Sequence, residues 1–513
     1  MSRFIFAAIV ILIFQQPAFC SEKIKWLDWS DEIFKRAERE KRFILLDLKA
    51  VWCHWCHVMD KVTYSDPEVA ALISEKFLAV RVDQDSRPDL SNRYEDYGWP
   101  ATIFFHWDGS EIVKRSGYIP PKEMLSLLKA IIVDPSPGPS VKPEKPLSFS
   151  NRSSLPEKLK EQMLESFFES YDYELGGWGF VHKFLDWDCV EYAMRRAMAG
   201  DRRAEQMAKQ TLKAQLQLLD PAWGGVYQYS AGGVWTEPHF EKIMSMQAEN
   251  LRIYSQAYAL WKDPVYLETA KSIRRYLKEF LTSPQGAFYT SQDADLVKGE
   301  HSEEYFKLDD KQRRKLGIPK VDTNIYSREN GWAINALTVF YSVSGDKEVL
   351  DSAIRAAEWI INNRAIEGGG FRHGEVDPAG PYLGDTLYMG RAFLSLYTVT
   401  GDEKWLDKAK KAADFIQANF AAEVGFATAS VKCSAKFPPK PQRDENIALA
   451  RFANLLYRNT GSKTYKDMTD HAMRYLTTEE IALRRPTAGV LLADEEYASG
   501  PMNIPVVSKE AKQ

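Results

Sequence analysis

Val51-Trp52-Cys53-His54-Trp55-Cys56-His57 is the stretch that decides the fold of the first part of this chain. Two cysteines separated by two residues follow an apolar run and precede a helical one. That places the first sulfur at a helix N-terminus, where backbone N–H groups and the helix dipole favour thiolate, the reactive species. The second sulfur is then close enough to attack a mixed disulfide formed on the first.

The flanks extend the pattern. Phe43-Ile44-Leu45-Leu46-Asp47-Leu48 reads as a buried strand leading through Lys49-Ala50 into the motif, with helical periodicity through Val58-Met59 and Val69–Ile73 beyond it. Phe77–Asp83 and Thr102–Trp107 read as two more strands. Asp108-Gly109 is a turn that makes a hairpin with Glu111–Arg115, and Pro121–Ile132 closes the unit as a helix. Strand, Cys-x-x-Cys helix, strand, proline, hairpin, helix is an order that resembles a thioredoxin-like α/β domain. In that resemblance Pro100, within Trp99-Pro100-Ala101-Thr102, is the candidate for a cis-proline beside the dithiol.

At 513 residues the chain is too long for one ordinary domain. A net charge of -4, with acids and bases interspersed and no polybasic run, points away from a nucleic-acid partner. Residues 1–20 read as a signal peptide: Arg3 is basic, Phe4–Phe14 is apolar, and Ala18 and Cys20 are small residues before a cleavage. That apolar run is short for a membrane span, and no other stretch is apolar enough to be one. The expectation is an exported, periplasmic protein, with lipid anchoring at Cys20 or full secretion as alternatives. Beyond Cys20 four cysteines remain, Cys53, Cys56, Cys189 and Cys433, too few for a disulfide-stapled scaffold. Cys189 and Cys433 read as buried thiols unless they pair.

Residues 21–134 form the expected α/β domain and Pro-rich residues 135–154 a linker. From 155 to 513 strands become scarce and a repeat appears. Gly200-Asp201, Trp261-Lys262-Asp263, Ser344-Gly345-Asp346, Thr400-Gly401-Asp402 and Thr460-Gly461-Ser462 each combine a helix C-terminal glycine or its equivalent with an N-cap. Between them fall glycine–aromatic loops at Gly176–Phe180, Gly224–Tyr227, Gly286–Tyr289, Gly368–Phe371 and Gly425-Phe426. Alternation at a spacing of roughly 50–60 residues predicts stacked helical hairpins, closed as an all-α (α/α)6 toroid or open as a solenoid. The longer loops would form a functional mouth. His239, Glu241, Asp293, Asp295, Glu329 and Asp385 cluster near it in sequence. They are candidates for acid/base work on sugars, or else helix caps and loop hydrogen bonds.

The segments Cys53–Met59, Val82–Asp89, Gly98-Trp99-Pro100, Pro238-His239-Phe240-Glu241-Lys242, Gln292–Asp295 and Asn330-Gly331 resemble those of the thioredoxin-domain family typified by spermatogenesis-associated protein 20. The resemblance covers nearly the whole chain beyond residue 20. It implies a thioredoxin-like domain joined to a six-hairpin-glycosidase-like toroid, with a redox role inferred from the fold. The chain departs from the family pattern at Lys183-Phe184-Leu185, between Tyr227 and Pro238, at Met246-Gln247-Ala248 and at Glu329.

The leading expectation is a thiol–disulfide oxidoreductase. Cys53 is the attacking sulfur and Cys56 the resolving one, with Trp52, His54, Trp55, His57 and Pro100 as the supporting redox site. Its partners are a protein thiol or disulfide client and a recycling reductase. No cofactor is required and no metal site is assigned: His54 and Cys53 are adjacent and diverge, so Cys53, Cys56 and one histidine are the most that could share an ion. The alternative is a sugar-binding or carbohydrate-active toroid with the α/β domain as its accessory.

Overall fold

The computed structural model describes residues 23–143, 146, 151–430 and 436–501. The segment read as a signal peptide, including Cys20, lies outside the described residues, as does Cys433.

The α/β domain opens with α1 (Glu32–Glu40) and β1 (Phe43–Lys49), followed by α2 (His54–Val58), a π-helical turn (Met59–Thr63) and α3 (Pro67–Lys76). Then come β2 (Phe77–Asp83), α4 (Pro88–Arg93), β3 (Ala101–Phe105), β4 (Glu111–Ser116) and α5 (Pro121–Val133). The sheet order is β2-β1-β3-β4. β1 runs parallel to β2 and antiparallel to β3, with Leu46 opposite Val80 on one side and Ile103 on the other. β1 is apolar almost throughout because both its faces are covered. Ile44, Leu46 and Leu48 pack with Ile33 and Phe34 of α1 and Leu90 of α4, whereas Leu45 packs with Ile73 of α3 and Leu128 of α5. The first part of the Pro-rich segment lies along β4, where Gly138 N–H donates to the Ile112 carbonyl at 2.8 Å.

The second domain comprises α6 (Glu157–Glu169), α7 (Trp187–Met198), α8 (Arg202–Gln215), α9 (Met244–Trp261), α10 (Pro264–Phe280), α11 (Glu303–Phe306) and α12 (Asp310–Leu316). It continues through α13 (Ser327–Ser344), α14 (Lys347–Arg364), α15 (Leu383–Thr400), α16 (Glu403–Phe420), α17 (Arg443–Thr460), α18 (Lys463–Leu476), α19 (Glu479–Ala482) and α20 (Ala488–Ser499). An inner ring runs α7, α9, α13, α15, α17, α20 and returns to α7, and each inner helix carries an outer one. The ring is closed, which decides for the toroid over the solenoid. Its last pair joins the two ends of the domain: Leu155 N–H donates to Asp494 Oδ1 at 2.8 Å and Thr487 Oγ1 to the Met163 carbonyl at 2.9 Å. Inside the ring Glu191 of α7 accepts from Arg252 of α9 and Arg451 of α17, and Arg451 also reaches Glu496 of α20. No helix among the described residues is long and apolar enough to cross a membrane.

The expected caps account for the short turns. Gly345, Gly401 and Gly461 end α13, α15 and α17 in the left-handed region, and Asp346 and Asp402 then accept N-terminal N–H groups of α14 and α16. The glycine–aromatic loops lie at the opposite end and are held by a recurring two-way amide clamp. Val226, Phe288 and Phe426 each donate their N–H to, and accept through their carbonyl from, Gln247, Asn330 and Asn446 respectively. Each amide is the fourth residue of its inner helix.

The two domains meet at the loop end of the toroid. Phe437 enters an aromatic group of Trp29, Phe34 and Phe105 in the α/β domain, with ring centroids 5.5–5.7 Å away. Asn92 donates to Thr428 Oγ1 at 2.6 Å and Gln442 to Glu95 at 2.7 Å.

A candidate site between the dithiol and the toroid mouth

Cys53 caps α2, its Sγ accepting the Cys56 N–H at 3.2 Å, and Cys53 and Cys56 are joined as a disulfide. The Trp99–Pro100 peptide is cis, and Trp99 packs beside the two cysteines and Trp52. Trp55 is 40% exposed and leans on Tyr118. The sulfur-bearing residues themselves are covered, at 4% and 2% exposed, because Ile243 and the loops of the toroid lie against them. The dithiol and the toroid mouth, read separately from the sequence, face each other in one interface.

Asp295 lies at the centre of that interface. Its Oδ1 is 2.6 Å from His54 Nδ1, and its Oδ2 is 3.0 Å from His57 Nδ1 and accepts the Gly299 N–H at 2.7 Å. Burial works to raise this carboxyl, but the hydrogen bonds from the two imidazoles and Gly299 prevail and hold it at about 2. For His54 burial works to depress the imidazole, and Asp295 outweighs it, so its affinity for a proton is raised. Glu241 accepts the His54 N–H at 3.4 Å, and burial pushes it up to about 7. Burial also pushes Asp293 up to about 6. His239 is depressed to about 4 by burial and by His54, His182 and His301 around it. His301 packs edge-on to His54 with ring centroids 5.1 Å apart. A recess of about 20 Å³ between His54, His239, Glu241 and His301 has room for about one water molecule.

A second polar cluster adjoins the first through Trp52, whose Nε1 donates to Asp85 Oδ2 at 2.7 Å. The Asp85 carbonyl lies 2.6 Å from His373 Nε2, and His373 Nδ1 lies 2.9 Å from Asp385 Oδ1. Asp385 also accepts the Arg328 N–H in the first turn of α13, and Glu329 accepts from the Arg328 guanidinium. Thus Glu241, Asp293 and Asp295 gather at the Cys-x-x-Cys motif, whereas Glu329 and Asp385 are engaged with Arg328 and His373. None of these five carboxylates lines the small chamber on the toroid axis, whose walls include Trp187, Asp188, Glu249, Trp332, Tyr388 and Arg391. A wider cleft of about 480 Å³, between α4 and the 437–443 loop, is lined by none of the motif residues. Cys189 is a buried free thiol, pushed up by burial.

Sequence reasoning passed over Asp85, His301, Arg328 and His373. The signal for Asp85 lay in Gln84-Asp85 directly after β2, two polar residues that the fold buries. His373 follows the glycine loop at 368–371 at the place Thr290 takes after the loop at 286–289, each accepting the N–H of the first residue of an inner helix through its carbonyl, so the repeat located the position but not the side chain.

Residues 16–133 match the Thioredox_DsbH family, described as a protein of unknown function, DUF255. The chain is similar to human spermatogenesis-associated protein 20, 28% identical over 307 residues, which is 53% of this chain and 39% of that protein's length. It therefore aligns with well under half of that relative. Over 97 residues it is 34% identical to the thiol:disulfide interchange protein DsbD of Ralstonia nicotianae, covering 18% of this chain and 16% of that one. Among solved structures, cellobiose 2-epimerase from Bacillus thermoamylovorans superposes with a TM-score of 0.49 at 12% identity, covering 63% of this chain and 86% of that chain.

Proposed function

We propose that this chain exchanges thiols and disulfides through Cys53 and Cys56, as an exported, periplasmic protein whose residues 1–20 are a signal peptide. The observation that carries the reading is the Cys53–Cys56 disulfide at the start of α2, with Cys53 Sγ accepting an N–H of that helix beside the cis Trp99–Pro100 peptide. The similarity to an interchange protein over 97 residues supports it.

In the reducing direction, the Cys53 thiolate attacks a client disulfide and a mixed disulfide forms as one client sulfur leaves as thiolate. Cys56, deprotonated, then attacks Cys53 Sγ. The second client thiol departs and the Cys53–Cys56 bond is restored. A recycling reductase returns the pair to dithiol. His54 follows Cys53 in the chain and Asp295 raises its affinity for a proton, and a protonated imidazole there favours the thiolate. Since the toroid covers both sulfurs, a protein client reaches them when the loop carrying Asp293 and Asp295 moves aside.

The test is equilibration of the purified protein against glutathione or dithiothreitol, with alkylation of free thiols and mass analysis. A reversible two-electron couple at Cys53 and Cys56 is expected. A pair that does not cycle overturns the proposal.

The second reading, a sugar-binding toroid, draws on the axial chamber with its Trp187, Trp332 and Tyr388 walls. That chamber holds only about 80 Å³, against the ~300 Å³ or more of most small-molecule pockets. The redox reading is therefore preferred.

A further inference from the structure

Beside the disulfide, His57, Asp293 and Asp295 each bring one ligand atom to a common point, all three atoms lying within 4.8 Å of one another. His57 comes from α2 and the two aspartates from the toroid. The His57 ring is oriented as a metal-binding imidazole is. Its Nε2 lies 3.0 Å from the Val51 carbonyl, which can only accept, so that nitrogen carries a proton. Nδ1 lies against Asp295 Oδ2, to which it donates when it carries a proton and beside which it is free to ligate an ion when it does not. A backbone carbonyl holding the far N–H is the usual support of a ligating histidine.

A separate observation points the same way. Asp293 is 2% exposed, yet its Oδ2 has no hydrogen-bond partner and stands 3.7 Å from His57 Nε2. Glu241, at 3% exposed, also has a buried oxygen, Oε2, without a partner. Among the described residues neither these two carboxylates nor Asp295 has a lysine or arginine salt bridge; their ion-pair partners are His54, His57 and His239. Buried charge of that kind is costly unless balanced.

We infer that His57, Asp293 and Asp295 bind a divalent first-row transition metal of the zinc class, clamping the α/β domain to the toroid. One imidazole with two carboxylates is a nitrogen–oxygen donor set suited to such ions, and it uses neither cysteine. The site needs no sulfur ligand and is present in the oxidised protein, and its clamp opens when the loop carrying Asp293 and Asp295 moves aside for a client.

The test uses the full chain with the Cys53–Cys56 disulfide intact, so that sulfur cannot ligate. Zn²⁺ is titrated calorimetrically, and Co²⁺ is followed by its visible absorption. One equivalent per chain is expected, with affinity about tenfold weaker or worse in Asp293→Asn, a near-isosteric change. Independently of any variant, Zn²⁺ raises the Tm of the oxidised wild type, because the ion bridges two domains. A Cys53→Ser, Cys56→Ser double variant keeps the equivalent. Absence of binding, binding undiminished in a folded Asp293→Asn, or no rise in Tm would each overturn the site and leave protons on Glu241 and Asp293 to balance the cluster.

Discussion

Replacing Asp295 with Asn tests whether the toroid guards the dithiol. The carboxylate is 1% exposed and makes three hydrogen bonds, two of which cross between domains to His54 and His57. Asn keeps the size and one acceptor but loses the charge and, at the second position, presents a donor. Charge-assisted bonds contribute about 1.5–3 kcal/mol each, and breaking a buried pair costs about 3–5 kcal/mol. With one acceptor retained, the docked arrangement loses about 2–4 kcal/mol. At ~1.4 kcal/mol per tenfold, the population in which Cys53 is uncovered rises roughly 30- to 1,000-fold. The assay is the alkylation rate of reduced Cys53 in the presence of a chelator. It is read on the plateau of the pH–rate profile, where the sulfur is fully thiolate in both proteins. A plateau change below about threefold would mean that Cys53 is reached without parting the domains, and the guarding role would fall.

Cys56→Ser accumulates a glutathione adduct on Cys53 when challenged with glutathione disulfide, whereas Cys53→Ser does not; equal trapping by both variants would refute the assigned roles. Asn330→Ala leaves the Phe288 N–H and carbonyl unpaired in the core, so an unfolding titration records a loss of about 2–4 kcal/mol, and a loss under ~1 kcal/mol contradicts the clamp. Asp188, pushed up to about 7 by burial, holds its proton in the folded chain after the unfolded chain has released it. Stability from this group is intact below about pH 4 and falls as pH rises toward 7, by ~4 kcal/mol at most. Asp188→Asn therefore raises Tm at pH 8 and leaves it nearly unchanged at pH 4; the opposite ordering refutes the assignment.

What could be read in the sequence was local chemistry. A run as short and apolar as Phe43–Leu48 fits a strand covered on both faces, and the Gly-Asp turns carry their capping function within three residues. The ends of α14 and α16 therefore lie where those turns place them. The dithiol is legible for the same reason: four residues and a following helix suffice. Contacts set by closure were not legible. Asp295 reaches His54 across 241 positions, and nothing near either residue records the other. The mouth residues read as facing open space because the sequence does not say which surface the first domain occupies. Gln247 illustrates a middle case: it looked like a departure from a family pattern, yet it makes the same two hydrogen bonds to Val226 that Asn330 and Asn446 make to their loops.

Phe437 has a consequence for how this molecule could be divided. The α/β domain has strands, helices and a dithiol of its own, but the group formed by Trp29, Phe34 and Phe105 is completed by an aromatic ring that the chain supplies more than three hundred residues later. Phe437 is partly buried, so its loss costs less than the about 3–5 kcal/mol of a fully buried Phe, yet it draws on the ~5–15 kcal/mol that holds a domain together. A fragment ending at the linker inherits that vacancy. The first domain is thus no freely transferable module: its sequence and that of the 437–443 loop must be inherited together, and a recombination event that separates them leaves a destabilised dithiol protein behind.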